Sequence, residues 1–483
     1  MTIVNSKRFC FGDWSNGKAL AATVFFVCFC LLFPQAGFAA WSSDPIPVTT
    51  EFDKQCRPQV VYDGSGGYYV VWQDFDVDVV FAQHYTPAGD PMWNDPVQVG
   101  SGTCYHMQES APDGSGGLLV SFYDCSYTRV QRVNADGSLA WNAGGVAVID
   151  DSDSWIAPDG AGGAIVMSYY GYVNKVAADG TLPWTDADNP LVFSSSSSAT
   201  KIAPDGEGGA ILVWLESSNV MANRIDSEGN FYGEPLDLSS GSGPYCPRLI
   251  PDYNGGAIVA WMESGDTDYV VRAQKIDGDS GQVLWGEGGG LVALSPDPWP
   301  VDLAPDGSGG AFINWGDWDN DVVYAQYMDV NGDPVWANPV ALSSAGDLDE
   351  IAWHPHNTVA DGQGGFITAW GNPSQQIKAQ RVDAAGSLLW GVDGAVLADG
   401  NYIDYPPKVT SNGQGGAVAV WVDDTSYSSE PRTLLVIEGT GDDIFMQGVN
   451  ADGVAGDPGY SPEDDSDSNT NWPHCFISSL FGN

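Results

Sequence analysis

The sequence predicts an all-β fold in which eight similar units close into a ring. Three observations support this prediction. A glycine-rich phrase occurs eight times between residues 61 and 421. Each copy leads into a run of alternating apolar residues with strand character, and no stretch beyond residue 40 shows helical periodicity. The eighth unit lacks its last segment, and a matching segment stands at the other end of the chain.

One residue stands at the same place in every copy of the phrase, and we call it the marker residue. Successive markers are 46 to 55 residues apart, which is the length of a four-stranded unit in a radial repeat. Eight such units account for most of the 483 residues. The markers are Asp63, Asp113, Asp159, Asp205, Asp252, Asp306, Asp361 and Asn412.

Turn residues divide each unit into four strands. In seven of the eight copies the marker is followed by Gly and then by Gly-Gly, and these residues favour a tight hairpin between the first two strands; the fifth copy has Tyr253 in place of the first Gly. The second strand alternates and ends in an aromatic residue, as from Ala257 to Trp261. A third strand carries Ala-Gln, as at Ala82-Gln83, and a short fourth strand follows a tryptophan such as Trp93.

Two tryptophan positions recur from unit to unit, and we interpret both as packing positions. Radially arranged sheets need bulky side chains between neighbours, and tryptophan supplies that volume. The first series ends the second strand and comprises Trp72, Trp214, Trp261, Trp315, Trp370 and Trp421. The second series precedes the fourth strand and comprises Trp93, Trp141, Trp184, Trp285, Trp336 and Trp390.

The two ends of the repeat array complement each other. The eighth unit runs through its third strand to Asp452-Gly453 and then stops without a fourth strand. The segment from Trp41 to Val48 resembles the fourth-strand segments of other units, such as the one that begins at Trp93. Closure by this segment removes two open sheet edges. The sequence therefore predicts an eight-bladed β-propeller in which the N-terminal strand completes the last blade.

The chain from Trp41 to about Ala455 resembles the β-propellers of secreted bacterial surface proteins. It lacks the Gly-His and Trp-Asp marks of WD40 repeats, and its paired glycines precede the second strand rather than follow it as in kelch repeats. We expect three parts. They are a signal peptide over 1–39, the propeller over 41–455, and over 456–483 a disordered acidic tail with a short apolar end that contains cysteine.

Residues 1–39 have the composition of a secretory signal. Lys7, Arg8 and Lys18 precede an apolar run from Ala19 to Phe33, and small residues follow at a suitable cleavage site. An uncleaved membrane anchor is the alternative interpretation, although the run is short for a stable span. We expect a secreted, cell-surface or periplasmic protein.

Charge and cysteine content restrict the partners. The formal net charge of −46 disfavours binding to nucleic acid and to anionic lipid surfaces. Five cysteines follow residue 40, and this odd number suggests attachment through Cys475. Membrane contact is therefore expected only through an uncleaved signal or a modified C-terminus. We expect a monomer.

One rim of the propeller is a candidate ligand face. The first strand begins about seven residues before the marker, on the rim opposite the marker turn. Aromatic and histidine side chains cluster near this position, and they suggest binding of a protein or carbohydrate ligand. The alternative is that they fill the mouth of the channel. The candidate residues are His106, Tyr245, Trp299, His354, His356 and Tyr405.

Two further patterns suggest a metal site and a disulfide. Alternating carboxylates in two loops could converge on Ca²⁺, a cation that prefers oxygen ligands, or could belong to ordinary acidic loops. Cys104 and Cys125 lie at positions that face each other across a hairpin, and this predicts a disulfide in an exported chain. The carboxylates are Asp74, Asp76 and Asp78 in one loop and Asp317, Asp319 and Asp321 in the other.

The sequence contains no recognisable catalytic constellation. It has no Gly-x-Ser-x-Gly elbow, its arginines are scattered, and the two histidines at 354 and 356 lack a third zinc ligand at a fixed spacing. The favoured function is an extracytoplasmic, non-enzymatic binding propeller with a surface or adhesion role. A propeller hydrolase or lyase that acts on polysaccharide near His106, His354 and His356 is one alternative, and a purely structural surface scaffold is another.

Overall fold

A computed structural model describes residues 44–49, 55–103, 109–239, 243–265, 268–278, 280–348, 357–399, 407–424 and 442–456, without the side chains of Trp299, Pro300, Asn357 and Asp424. The regular structure of these residues is entirely β. No helix that could cross a membrane occurs among them. The predicted signal peptide and residues 457–483 of the predicted acidic tail lie outside the described residues.

The described residues contain 32 strands, which form eight antiparallel four-stranded sheets that we number as blades 1 to 8 in chain order. Within each blade the strands follow one another from the inside outwards. Blades 1 to 4 consist of β2 (Gln55–Tyr62), β3 (Tyr68–Asp74), β4 (Val79–Tyr85), β5 (Val97–Ser101); β6 (Glu109–Pro112), β7 (Leu118–Tyr123), β8 (Thr128–Val133), β9 (Val146–Ile149); β10 (Ser154–Pro158), β11 (Ala164–Ser168), β12 (Tyr172–Val176), β13 (Leu191–Val192); and β14 (Ser198–Pro204), β15 (Ala210–Glu216), β16 (Asn219–Ile225), β17 (Leu236–Asp237). Blades 5 to 8 consist of β18 (Tyr245–Pro251), β19 (Ala257–Ser264), β20 (Tyr269–Ile276), β21 (Gly290–Ser295); β22 (Pro298–Pro305), β23 (Ala311–Asp317), β24 (Val322–Met328), β25 (Val340–Ala341); β26 (Asn357–Ala360), β27 (Phe366–Gly371), β28 (Gln376–Val382), β29 (Ala395–Asp399); and β30 (Lys408–Ser411), β31 (Ala417–Asp424), β32 (Asp442–Val449), β1 (Ile46–Thr49).

The N-terminal strand closes the ring as predicted. β1 pairs antiparallel with β32, with Ile46 opposite Met446 and Pro47 opposite Phe445. The first strand of each blade contacts the first strand of the next, and β30 of blade 8 returns to β2 of blade 1. The predicted eight-bladed propeller is therefore confirmed, with the first strands around the central channel.

The marker turn of blade 2 shows why the glycine-rich phrase recurs. Asp113 Oδ1 accepts hydrogen bonds from the N–H groups of Ser115 (2.7 Å) and Gly117 (2.7 Å), and the Asp113 N–H donates to the Gly117 carbonyl (3.0 Å). Gly116 has a φ of 88°, where glycine is favoured. A Cβ on Gly117 would lie 2.6 Å from the Val133 carbonyl oxygen. The marker carboxylate and the glycines together build one tight hairpin.

The second marker oxygen binds a side chain from the third strand. Asp205 Oδ2 accepts from Arg224 at 2.9 Å, and the corresponding Asp159–Lys175 pair spans 3.4 Å. Lys175 Nζ also donates to the Gly208 carbonyl of the next blade (2.9 Å), so the pair links neighbouring blades. In seven blades the partner of the marker comes from the third strand, where it lies opposite the residue six positions after the marker. These partners are His84, Arg132, Lys175, Arg224, Lys275, Tyr327 and Arg381.

The core lies between the blades, and both tryptophan series belong to it. Trp261 of blade 5 is fully buried in a cluster with Val213 of blade 4. In the second series each indole N–H donates to a turn carbonyl of the next blade, as from Trp93 to Ala135 at 3.0 Å. These contacts support the interpretation of both series as packing positions.

The candidate functional site: a charged ring in the central channel

The structure describes only part of the predicted ligand rim. Tyr245 begins β18, opposite Met262, and its ring lies edge-on against Tyr269 at 6.0 Å. It packs against the core between blades 5 and 6, and burial raises the pKa of its phenol. Trp299 lies in β22, but its side chain is outside the described residues, as are the four other candidates, His106, His354, His356 and Tyr405.

The two alternating carboxylate runs form hairpin loops between the second and third strands. In each loop the first carboxylate is buried and the others are exposed. Asp74 Oδ1 accepts from the Asp76 N–H (3.0 Å), and Asp317 Oδ1 accepts from the Asn320 N–H (3.1 Å). Among the residues that the structure describes, no three His, Cys, Asp or Glu side chains converge as a metal group. The structure therefore does not bring either set together: Asp74, Asp76 and Asp78, or Asp317, Asp319 and Asp321.

Cys125 is disulfide-bonded. Its Sγ lies 3.4 Å from the carbonyl oxygen of Gly102, two residues before Cys104 in the chain. Cys104 itself is outside the described residues, so the pairing of Cys104 with Cys125 stays a prediction.

The strand register brings a different set of side chains to one level of the channel. In every blade, the residue four positions before the marker pairs with the residue eight positions after the marker. Lys201 lies opposite Val213, for example, and Lys408 lies opposite Val420. These eight residues therefore form one layer, which we call the channel ring. In blade order the channel ring is Gln59, Glu109, Trp155, Lys201, Arg248, Asp302, Asn357 and Lys408.

A β-bulge immediately precedes the ring position in several blades. In blade 5 the register shifts between Tyr245 and Arg248, and Cys246 adopts a left-handed φ of 50°. In blade 4 the shift lies between Ser198 and Lys201, with Ala199 at 49°. Bulges bend a strand and re-aim the side chains next to them. The bulge thus separates the rim from the channel ring.

The charged side chains of the channel ring act on one another across the channel. Glu109 of blade 2 interacts electrostatically with Lys408, Lys201 and Arg248, and Asp302 of blade 6 with Arg248 and Lys408. Lys201 and Lys408 belong to blades 4 and 8, on opposite sides of the ring, and Lys408 still disfavours the charged form of Lys201. The charged groups therefore converge on the channel rather than point into separate interfaces.

Confinement in the channel alters the acidity of these groups. Burial raises the pKa of Asp302 to about 6, against the opposing effect of Arg248. Burial likewise raises the pKa of Glu109 and lowers the pKa of Lys408. The pKa of Lys201 lies well below its ordinary value because of burial and the adjacent Arg248. All five charged side chains are half-buried and thus accessible from within the channel.

Hydrogen bonding satisfies these charges only in part. Asp302 Oδ2 accepts from the Thr358 N–H at 2.8 Å, and Lys201 Nζ lies 3.9 Å from the centroid of the Trp155 ring. Within the described part of the chain, no carboxylate lies within ion-pair distance of Lys201, Arg248 or Lys408. The arrangement can therefore bind a group that supplies negative charge and hydroxyl groups.

Sequence reasoning missed the charged members of this ring. The signal was present, because Glu109, Lys201, Arg248, Asp302 and Lys408 all stand four residues before a marker. The ligand face was instead predicted at the position seven residues before the marker, since that position is rich in aromatic residues and histidine. Alignment of the eight units at every offset would have revealed the charged layer.

Neither a family model nor a curated protein sequence matches the chain. Among solved structures, the BP39L lectin from Burkholderia pseudomallei is 12% identical, with 84% of this chain and 99% of the lectin covered at a TM-score of 0.47. The polysaccharide lyase Uly1 is 9% identical, with 86% of this chain and 98% of the lyase covered at a TM-score of 0.45. Porphyromonas gingivalis dipeptidyl peptidase 4 is 12% identical, with 80% of this chain and 57% of the peptidase covered at a TM-score of 0.43. Scores this low assign neither a ligand nor a reaction to this chain.

Proposed function

We propose that this chain is an extracytoplasmic propeller that binds a glycan in its central channel without transforming it. The observation that carries the proposal is the convergence of the channel ring. Lys201, Asp302 and Glu109 offer hydrogen-bonding groups, and Trp155 offers an aromatic face. A few polar groups converging beside an aromatic surface is the usual composition of a small-ligand site.

A glycan array probed with the full chain tests the binding role. We expect binding to a restricted set of glycans and loss of that binding in Lys201→Gln. Tyr245→Ala and Trp299→Ala, applied to the same array, measure whether the predicted rim adds contacts outside the channel. No hit on the array, or hits indifferent to Lys201→Gln, would count against a glycan site in the channel. A parallel protein array detects a protein ligand instead.

Mass spectrometry of the bound glycan separates binding from catalysis. We expect each glycan to be recovered intact after prolonged incubation. Cleavage products that disappear in His354→Ala would favour the hydrolase or lyase alternative. For the extracytoplasmic location, mass spectrometry of the native N-terminus is the direct measurement, and we expect removal of residues 1–39.

A further inference from the structure

The three channel cations differ from most of the other basic residues that the structure describes. Lys201, Arg248 and Lys408 have no ion-pair partner among the described residues. In contrast, eight other described lysines and arginines do form ion pairs with carboxylates. These are Arg129, Arg132, Lys175, Arg224, Arg272, Lys275, Lys378 and Arg381.

Composition does not explain the unpaired cations. The chain has 63 acidic residues for 17 basic ones, so carboxylates are abundant. A confined charge without a partner is costly, since the low-dielectric surroundings replace part of its hydration. Lys201 and Arg248 also lie in adjacent blades and repel each other. An anion bound between them would relieve both costs.

The two carboxylates of the ring restrict the charge of that anion. Glu109 and Asp302 stand in blades 2 and 6, on opposite sides of the ring. With all five groups ionised, the state that an anion bound beside Lys201 would favour, three cations and two carboxylates leave one positive charge. A ligand with a single negative charge neutralises this layer, whereas a second negative charge would meet Glu109 or Asp302. Carboxylates also accept hydrogen bonds from ligand hydroxyl groups.

We propose that the channel ring binds an acidic sugar, with the sugar carboxylate between Lys201 and Arg248 and its hydroxyl groups facing Glu109 and Asp302. The guanidinium of Arg248 suits a carboxylate, because its two parallel N–H groups match the two oxygens. This inference rests on the proposed glycan-binding function and names the substrate class of the same site.

Isothermal titration calorimetry with the full chain tests this inference by comparing sodium glucuronate with glucose. The two sugars differ in the carboxylate that replaces one hydroxymethyl group. We expect glucuronate to bind at least about tenfold more tightly than glucose, which corresponds to about 1.4 kcal/mol. Lys201→Gln and Arg248→Gln should each weaken glucuronate binding by about tenfold or more. Sodium sulfate, a dianion without hydroxyl groups, should not compete.

Arg129→Gln is the matched control, because it also removes one positive charge but from an ion pair with Asp124 in blade 2. It should bind glucuronate like the unmodified protein. Equal affinities for glucose and glucuronate, competition by sulfate, or unchanged binding in both channel variants would overturn the acidic-sugar inference. If a neutral glycan binds and this binding is lost in Lys201→Gln, the proposed function is supported but the acidic-sugar inference is rejected. Absence of any sugar binding would reject both, and melting curves of each variant verify that it is folded.

Discussion

Charged residues are held in two different environments in this propeller, one in the marker turns and the other in the channel ring. In blade 2, burial alone would raise the pKa of Asp113, but hydrogen bonds from Ser115, Gly117 and Arg132 outweigh it and hold the pKa below its ordinary value. In the channel, burial raises the pKa of Asp302 to about 6. The protein thus stabilises the ionised carboxylate at the turn and disfavours it in the channel.

The marker pair and the channel ring also differ in how they vary among the eight units. The marker carboxylate and its partner occur together from blade to blade, and they also change together. Blade 8 has Asn412 in place of the aspartate and Gly448 where blade 4 has Arg224. The channel ring, in contrast, changes its chemistry in almost every blade. A charge pair kept in register serves the fold, whereas charges that vary around one layer shape an asymmetric site.

Both regions depend on closure of the ring, so loss of the closing strand should have the largest effect. Deletion of Trp41 to Val48 removes most of β1 and exposes the edge of β32. We expect the melting temperature to fall by about 10 °C or more, since the repeats form one cooperative unit. Deletion of 457–483 is the control and should leave the melting curve unchanged. An unchanged curve for the first deletion would refute closure by β1.

Breaking a marker pair should have the next largest effect. Asp205→Ala removes the acceptor of the Glu207 and Gly209 N–H groups and leaves Arg224, whose side chain is 6% exposed, with the exposed Glu207 carboxylate as its remaining ion-pair partner. We expect a loss of about 3–5 kcal/mol in the free energy of unfolding, measured with denaturant.

Asn412→Ala provides the matched control for that prediction. Asn412 Oδ1 accepts from the N–H groups of Gln414 and Gly416, as Asp205 does in its own turn, but Gly448 holds the third-strand position that Arg224 holds in blade 4. Its replacement should cost about 1–2 kcal/mol, the value of a lost turn cap. Equal costs in Asp205→Ala and Asn412→Ala would show that the ion pair adds nothing beyond the cap.

In the channel, Asp302 should make stability depend on pH in the opposite direction from a marker aspartate. Its folded pKa of about 6 exceeds the ordinary 3.8, so the folded state binds the proton more tightly. The contribution of Asp302 to stability is fully present below about pH 4 and is lost as the pH rises from about 4 to 6, by on the order of 3 kcal/mol.

Asp302→Asn should abolish this dependence, because the amide oxygen can still accept from the Thr358 N–H while the charge is gone. Compared with the unmodified protein, the variant should melt a few degrees higher at pH 7 and at the same temperature at pH 4. Identical differences at both pH values would contradict the raised pKa of Asp302.

The sequence was sufficient for the fold because the fold is encoded locally. The turn from Asp113 to Gly117 needs one carboxylate and glycines at set positions, and eight copies at a regular spacing imply closure. The channel ring needs more. A non-glycine bulge such as that at Cys246 has no sequence signature, and the proximity of Lys201 to Lys408 exists only once the ring closes. Variation among the units, rather than their repetition, pointed to the site.

The smallest expected effect concerns the stability of Lys408→Gln. Burial already disfavours the Lys408 charge, and no described carboxylate pairs with it, so little is lost when the charge is removed. We expect the free energy of unfolding to change by less than about 1 kcal/mol, while Arg224→Gln, which leaves Asp205 and Glu207 without their partner, should cost several times more. Denaturant titrations of both variants measure the difference. A loss in Lys408→Gln as large as that in Arg224→Gln would mean that the channel charges hold the blades together, as the marker pairs do, and the division between structural pairs and ligand-facing charges would fail.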